Sequence, residues 1–359
     1  SAFDQVGKVG LGDLEISADG KFLYIVNLYS RTIVRLELDD EANPTTFVST
    51  KVFELSNIPT NNGVLRPFGL KYYKGKLYFG VVSTGENGGT INDVIGYIYE
   101  GNNPESTFDI LSSPILTIPM NYTKGAAIQT GASGFSPWTN TTTSGMIVGG
   151  TIAFPQPILS GIEFSDNGDL IIGIMDRAGS QYGGNNYRHL GNSSTLVFGV
   201  MGGDILIAGY SCETGVYTLE SSGAYTSSNG TIYNGSTNGQ GPEGGEFFYR
   251  DNFSIHHETA MGSVTITKGD GKVIITTSDP LNLVSGGTMK MSTSDGTSSD
   301  RYELYRETIT NSTLAVLGKA LGLGDIETKS FVRPVEIGNR VWMDLDKDGF
   351  QDAGEPNLS

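Results

Sequence analysis

Two stretches near opposite ends of the chain are nearly the same. GKVGLGDLEIS at residues 7–17 and GKALGLGDIETKS at 318–330 share GLGD, then Leu or Ile, then Glu. Self-similarity constrains a fold more than composition does, because repeated units each form one supersecondary element and bury their apolar faces on one another. The first copy runs on into GLGDLEISADGKFLYIVN: a strand, an Asp-Gly turn and an alternating second strand, which is the pattern of a β-hairpin. The same design recurs in PFGLKYYKGKLYFGVV (67–82), LSGIEFSDNGDLIIGIMD (159–176) and MGSVTITKGDGKVIITTSD (261–279), and more briefly in GVMGGDILIAGYS (199–211). Further strand-like runs follow the hairpins, among them RTIVRLELD, VIGYIYE, GVYTLE and RYELYRE, so the unit holds three or four antiparallel strands.

Hairpin starts near residues 12, 68, 160, 200, 262 and 323 predict an all-β fold. Radial repetition of small sheets is a β-propeller, here of about six blades with irregular inserts. A β-sandwich has turns at similar spacing but does not account for the repeated hairpins. Gly, Ser, Thr and Asn-rich stretches around 131–145 and 221–245 read as surface loops. In a closed ring the first and last blades adjoin, so GLGDLE and GLGDIE can lie side by side and leave no free edge. The expected division is a propeller-like domain over 1–333 and the truncated start of a second domain over 334–359.

Composition agrees with strands and turns: 50 of 359 residues are Gly, 10% are aromatic and 17% are charged. A formal charge of −16 excludes nucleic acid or anionic lipid as a partner, since phosphate neutralisation needs clustered Lys and Arg, and favours divalent cations. Cys212 is the only cysteine, so no intrachain disulfide holds the fold. No apolar run reaches the length of about 18 residues that membrane insertion needs. Asn-x-Ser/Thr sequons, which matter if the protein is exported through a glycosylating route, include Asn121, Asn140, Asn192, Asn229, Asn234, Asn252 and Asn311.

In the repeated first strand Asp13 and Glu15 share a face, being two residues apart, and Asp325 and Glu327 match them. Glu163 in SGIEF takes the place of Glu15, and the second strands end in Asn27, Asp176 and Asp279. Innermost propeller strands line the central channel, so these groups are candidates for an axial cluster. Converging carboxylates need a cation or an Arg, and such oxygen ligands suit Ca²⁺ or Mg²⁺. A plainer reading confines them to turn and strand-end hydrogen bonds in their own blades. In residue type and strand position, Glu15, Asn27, Asp176 and Asp279 resemble the axial metal ligands of gluconolactonase and calcium-dependent esterase propellers, which implies a metal-dependent hydrolase as the alternative function.

The segment EFFYRDNFSIHHETAMG (246–262) holds Glu246, Asp251, Glu258, His256 and His257, with Glu243 just upstream. Adjacent His residues on a strand face opposite sides, and zinc wants three or four converging ligands, so the segment reads as a strand-edge polar cluster. There is no GxSxG elbow, phosphate loop or HExxH helix. The expectation is accordingly a protein that is not an enzyme.

The most specific motif lies at the end. In VEIGNRVWMDLDKDGFQDAGEPN, Asp344, Asp346 and Asp348 are spaced by two, Gly349 follows and Glu355 completes D-x-D-x-D-G-x5-E. As a twelve-residue calcium loop, Asp344, Asp346 and Asp348 supply positions 1, 3 and 5, the Phe350 carbonyl position 7, Asp352 position 9 and Glu355 position 12. The flanks are not helical, so the loop sits in a β setting. From Ile337 to Pro356 the sequence resembles the opening of the B-type repeat of serine-aspartate-repeat adhesins, and FPQP, GIMDR, GGDIL, EGGEFFYRD, GGTM and GKALGLGDIE resemble an uncharacterised propeller-like region preceding such repeats. That resemblance implies the first strand and calcium loop of an immunoglobulin-like β-sandwich in a bacterial surface protein. The resulting expectation is an extracellular or cell-surface adhesion or structural protein, calcium-stabilised and non-catalytic. Its partners would be other surface proteins, glycans or copies of itself, the last through strand addition into filaments.

Overall fold

The structure is a computed structural model. It describes residues 2–307 apart from 42, 56, 57, 59, 61, 130, 149 and 188–195, together with 322–328, 341–342 and 357–358. The chain divides into two compact units, Ser1–Glu327 and Thr328–Ser359.

The first unit is a β-propeller built of antiparallel meanders. Strands β1 (Leu11–Ile16), β2 (Phe22–Asn27), β3 (Thr32–Leu38) and β4 (Phe47–Glu54) form the first sheet in chain order. In the second, β5 (Leu65–Tyr73), β6 (Lys76–Thr84) and β7 (Val94–Asn102) are followed by β8 (Asp109–Ile110) and β9 (Leu116–Pro119), both on β7. A small sheet interrupts the series, its strands β10 (Ile147–Val148) and β11 (Thr151–Ile152) standing before the third blade begins at β12 (Pro157–Phe164) and β13 (Leu170–Asp176). Strands β14 (Asn186–Tyr187) and β15 (Leu196–Gly199) complete the small sheet, whose order is β10-β11-β15-β14 with β11 and β15 parallel. The third blade then closes with β16 (Asp204–Ser211) and β17 (Val216–Leu219). A hairpin of β18 (Ala224–Thr226) and β19 (Ile232–Asn234) precedes the fourth blade, β20 (Ala260–Thr267), β21 (Lys272–Ser278), β22 (Ser285–Ser292) and β23 (Ser298–Arg306).

Four of the repeated hairpins thus become the inner pairs of four blades. The fifth, at 199–211, is different: Gly202 and Gly203 separate β15 from β16, and β16 joins β13 as the third strand of an existing blade. Around GLGDIE the described backbone carries no strand, yet Ser263 Oγ lies within hydrogen-bond distance of the Gly324 carbonyl (2.6 Å) and of Asp325 Oδ1 (3.0 Å), its one proton serving either, which seats that copy against β20.

Apolar alternation on each sheet explains the stacking. Tyr24, Val26 and Ile33 of the first blade pack with Leu70, Leu77 and Phe79 of the second. Val82 and Ile98 pack with Leu159, Ile162 and Ile172 of the third, and Ile171, Ile205 and Ile207 with Val264, Val273 and Ile275 of the fourth. Both faces of β13 are therefore covered, and its sequence LIIGIMD reads as an apolar run rather than an alternation. At its middle a Cβ on Gly173 would lie 2.0 Å from the carbonyl oxygen of Gly262 in the next blade, a backbone atom with nowhere to go. Gly173→Ala is expected to destabilise the unit by about 2–4 kcal/mol, read as a lower urea midpoint at unchanged slope.

Within Thr328–Ser359, β24 (Val341–Trp342) pairs antiparallel with β25 (Asn357–Leu358). The expected calcium-loop residues Asp344, Asp346, Asp348, Phe350, Asp352 and Glu355 lie outside the described residues, as does most of the expected β-sandwich start. Among the described residues no helix is long and apolar enough to cross a membrane.

Candidate metal centre

Two groups of carboxylates are gathered by this fold, and their surroundings give them opposite characters. The first lies where the inner strands meet. Lys71 of β5 sends its ammonium to Glu163 Oε2 of β12 at 3.0 Å, to Glu15 Oε1 of β1 at 3.3 Å and to Glu327 Oε1 at 3.7 Å. Glu163 Oε1 also accepts from the Phe164 N–H at 2.8 Å. Asp13 accepts from the N–H of Leu14 at 2.8 Å and of Leu70 at 2.7 Å, tying the first blade to the second. Burial pushes Asp13 up to about 8, against its two N–H donors, with Asp325 adding repulsion; burial also pushes Glu15 up to about 7 despite Lys71. The two GLGD copies thus meet across Lys71.

Asn27, Asp176 and Asp279 do not join them. Asn27 Oδ1 accepts from Tyr29 and Ser30 in the turn after β2. Asp176 caps the short helix Arg177–Tyr182, accepting from Ala178 at 2.8 Å and from Gln156 at 2.9 Å, and burial pushes it up to about 6. Asp279 accepts from Ser285 N–H and lies 3.2 Å from His256 Nε2, while His256 Nδ1 meets the Ala127 carbonyl.

The counter-charge was legible. Aligned on their turns and strand pairing, the hairpins place Lys71 opposite Tyr78 as Glu15 stands opposite Tyr24 and Glu163 opposite Ile171, so Lys71 occupies the Glu position of its own blade.

Among the described residues the second group makes no such ion pair. Asp204, the first residue of β16, meets Glu246, Asp251 and Glu258 from the long connection between β19 and β20, one carboxylate oxygen of each lying within 4.8 Å of the others. The connection is folded back on itself. Thr259 donates from N–H and Oγ1 to the Asp251 carbonyl, Phe253 and His256 pair in a tight turn, and His257 N–H reaches the Ala126 carbonyl at 3.0 Å. All four side chains are at most 2% exposed.

Their oxygens are unevenly served. Asp204 accepts from its neighbour Ile205 N–H at 2.7 Å and from Tyr122 Oη at 2.5 Å. Glu246 Oε2 accepts from Asn238 Nδ2 at 2.8 Å. Glu246 Oε1, both oxygens of Asp251 and both of Glu258 have no hydrogen-bond donor among the described residues. Lys124 is buried nearby, donating to the Gly125 carbonyl at 3.3 Å and lying 5.2 Å over the Phe135 ring. One ammonium against four carboxylates is not enough. Burial first, and mutual repulsion second, push Asp251 up to about 7 and hold Glu246 and Glu258 well above the usual carboxylate range; burial, against Lys124, takes Asp204 to about 6.

Buried carboxylate oxygens left bare cost several kcal/mol unless a proton or a cation joins them. The donor set is oxygen only, which suits a hard divalent cation and not zinc. Gly125 provides a further sign of a cradle: its φ is +109°, and a Cβ there would fall 2.7 Å from Glu258 Oε1. The cluster is therefore positioned so that it could bind a metal. Sequence reasoning singled out Glu246, Asp251 and Glu258 but set them on a strand edge, and it missed Asp204, Lys124 and Tyr122.

No family model matches the chain. Among curated proteins it is similar to Colossin-B of Dictyostelium discoideum, 31% identical over 391 residues that cover 99% of this chain and 9% of that protein. Colossin-C of the same organism is 27% identical over 99% of this chain and 33% of its own length, and Colossin-A is 26% identical over 98% and 3%. The chain spans a third or less of each. Among solved structures it is similar to a luciferin-regenerating enzyme (TM-score 0.37, 11% identity, 82% of this chain and 63% of that one). An arabinanase of Bacillus subtilis aligns with TM-score 0.32 and 14% identity over 81% and 82% of the two chains. A GH43 β-xylosidase/α-arabinofuranosidase from a compost metagenome, in a calcium-free form, gives 0.30 and 12% over 85% and 80%. At these values no residue role passes from those enzymes to this chain.

These findings correct three expectations. The resemblance to a bacterial serine-aspartate-repeat surface protein gives way, because the curated relatives belong to a eukaryote. The comparisons do not bear out the non-catalytic adhesion or filament role or the expectation of no enzyme: the similar solved structures are enzymes, glycoside hydrolases among them, at a likeness that shows the fold alone.

Proposed function

We propose that the first unit is the propeller of an extracellular, calcium-dependent hydrolase, with the ion held by Asp204, Glu246, Asp251 and Glu258. The observation that supports it is the set of bare carboxylate oxygens in a wholly buried, oxygen-only cluster. A bound hard cation polarises an oxygen of substrate or water. Around it Tyr122 fixes Asp204, Lys124 offsets part of the charge, and Asn238, itself exposed, reaches Glu246, so the cluster lies one side chain from solvent. The extracellular location is supported by Asn121, Asn229 and Asn234, sequon residues that are exposed and open to glycosylation. Glycans are the proposed substrate class, in keeping with the Ser, Thr and Asn-rich loops.

The test is turnover of glycoside, lactone and ester model substrates with calcium and after chelation. Activity that returns with calcium and falls at least 100-fold in Asp251→Asn is the expected result; a protein that binds calcium and turns over none of the three classes would end the hydrolase reading. A second calcium ion is proposed for Asp344, Asp346, Asp348, the Phe350 carbonyl, Asp352 and Glu355. Asp346→Ala should abolish calcium protection of the tail against protease, and equal cleavage of variant and parent with calcium would remove that site.

A further inference from the structure

A cleft of about 620 Å³ separates the β16–β17 hairpin from the β18–β19 hairpin, a size within the range of about 300–1,000 Å³ found for small-molecule sites. Its two sides touch along the backbone. A Cβ on Gly209 of β16 would lie 1.8 Å from the Thr226 carbonyl oxygen of β18, so glycine alone lets the hairpins meet there. Asp169, wholly buried, fastens both sides. Its Oδ1 accepts from the N–H groups of Tyr210 and Ser228, each at 3.0 Å, and its Oδ2 from Ser227 Oγ at 2.5 Å. Ser228 Oγ donates to the Asn167 carbonyl at 2.6 Å, and Tyr225 Oη to the Thr293 carbonyl at 2.7 Å. Walls held in this way lose little freedom when a ligand enters.

The lining selects by chemistry. Tyr210 and Tyr225 supply aromatic surface, and the half-buried Tyr210 ring is backed by Tyr217 at 4.9 Å between centroids. Thr218, Ser221 and Thr226 are exposed and add hydroxyls that both donate and accept. Among the described residues Glu213 is the one charged group of the lining, so a phosphate or sulfate finds no counter-charge there. A pyranose fits these terms: its ring carbons offer a flat C–H face to an aromatic ring, and its rim is a set of hydroxyls. The cleft also adjoins the cation centre. Glu220, between the lining residues Leu219 and Ser221, accepts from the Phe247 N–H at 2.6 Å, and Phe247 follows Glu246.

We infer that this cleft is a subsite for an uncharged saccharide, held by Tyr210 and by the hydroxyls of Thr218, Ser221 and Thr226. The inference rests on the proposed function for its ligand class and adds the place where the glycan is held, beside the cation centre and not within it. No bond is made or broken in the cleft, so binding needs no ion. Asn229, an exposed sequon residue, also lines it, so the saccharide can come from outside or from this chain's own glycan.

Cys212 makes the test direct, because it lines the cleft, is exposed and is the only cysteine of the chain. The probes are cellotriose, maltotriose and tri-N-acetylchitotriose, with a sulfated heparin tetrasaccharide as the charged control. In chelator, the whole chain made without N-glycans should bind at least one neutral probe by calorimetric titration. At roughly ten times its dissociation constant that probe should slow alkylation of Cys212 about tenfold, since only the unoccupied form reacts. Tyr210→Ala should weaken binding about tenfold, and Thr218→Trp, which fills the cleft from an exposed position, should abolish both binding and protection. No neutral probe bound, equal binding by Thr218→Trp, or equal binding of the sulfated control overturns the subsite. In chain made with N-glycans, binding that appears only after Asn229→Gln identifies the chain's own glycan as the occupant. Binding in chelator without turnover in calcium ends the hydrolase reading and leaves the subsite standing; turnover with KM unchanged in Thr218→Trp does the reverse.

Discussion

Calcium at about a hundred times its dissociation constant should add about 2.7 kcal/mol to the stability of the first unit, a rise of roughly 5 °C in melting temperature that chelation reverses. The sharper result is expected from Glu258→Gln. In the calcium-free parent, Asp251 and Glu258 have no donor among the described residues other than a proton the two can share. A Gln side chain brings its own N–H groups to Asp251 and removes one buried charge. The calcium-free variant should therefore melt higher than the calcium-free parent, by about 1–3 kcal/mol, yet gain nothing from calcium. A substitution that stabilises one state and erases the response of the other is hard to mistake for general damage. Melting curves in calcium and in chelator decide it; a parent indifferent to both, or a Glu258→Gln variant that responds like the parent, would refute the site.

Much of the fold was legible because its information is local. The ADG, KG and DNG turns, with alternating or all-apolar flanks, specify hairpins without reference to the rest of the chain, and the four blades among the described residues start from them. What escaped was the long-range part. β16 pairs with β13 only after the small sheet has been inserted between them, and nothing in GVMGGDILIAGYS marks its partner. The site divides in the same way. Lys71 could be found by register alone, because it takes the Glu position in a repeated unit. The buried centre could not, because Asp204 comes from a strand end and Glu246, Asp251 and Glu258 from an irregular connection whose spacing matches neither a strand nor a helix. Their convergence is produced by the turn at Phe253 and His256 and by Thr259 folding back on Asp251, which are tertiary events.

Lys71→Met should be the most damaging single change at the axis, and its cost should depend on pH. Met fills the space of the Lys stem but leaves Glu15, Glu163 and Glu327 facing one another without an ammonium. Removing one partner from a buried charge cluster costs about 3–5 kcal/mol, and since Lys71 is 15% and Glu327 62% exposed the lower value, about 3 kcal/mol at pH 8, is the expectation. In the parent, Asp13 is raised to about 8 and Glu15 to about 7. The folded state keeps protons there that the unfolded chain releases above about pH 4, so the stability contributed by these groups is fully present at low pH and is lost as pH rises from about 4 to about 8. Without Lys71 the same carboxylates repel more strongly when ionised, and their protons are held to still higher pH. At pH 5 Glu15 is already protonated, so the missing ammonium should cost only about 1 kcal/mol. Urea unfolding at pH 5 and pH 8 separates this from a packing defect: a cavity costs the same at both, whereas a lost counter-charge opens a gap of about 2 kcal/mol that closes on acidification. An equal loss at the two pH values would mean that Lys71 serves by its stem and that the axis needs no internal cation.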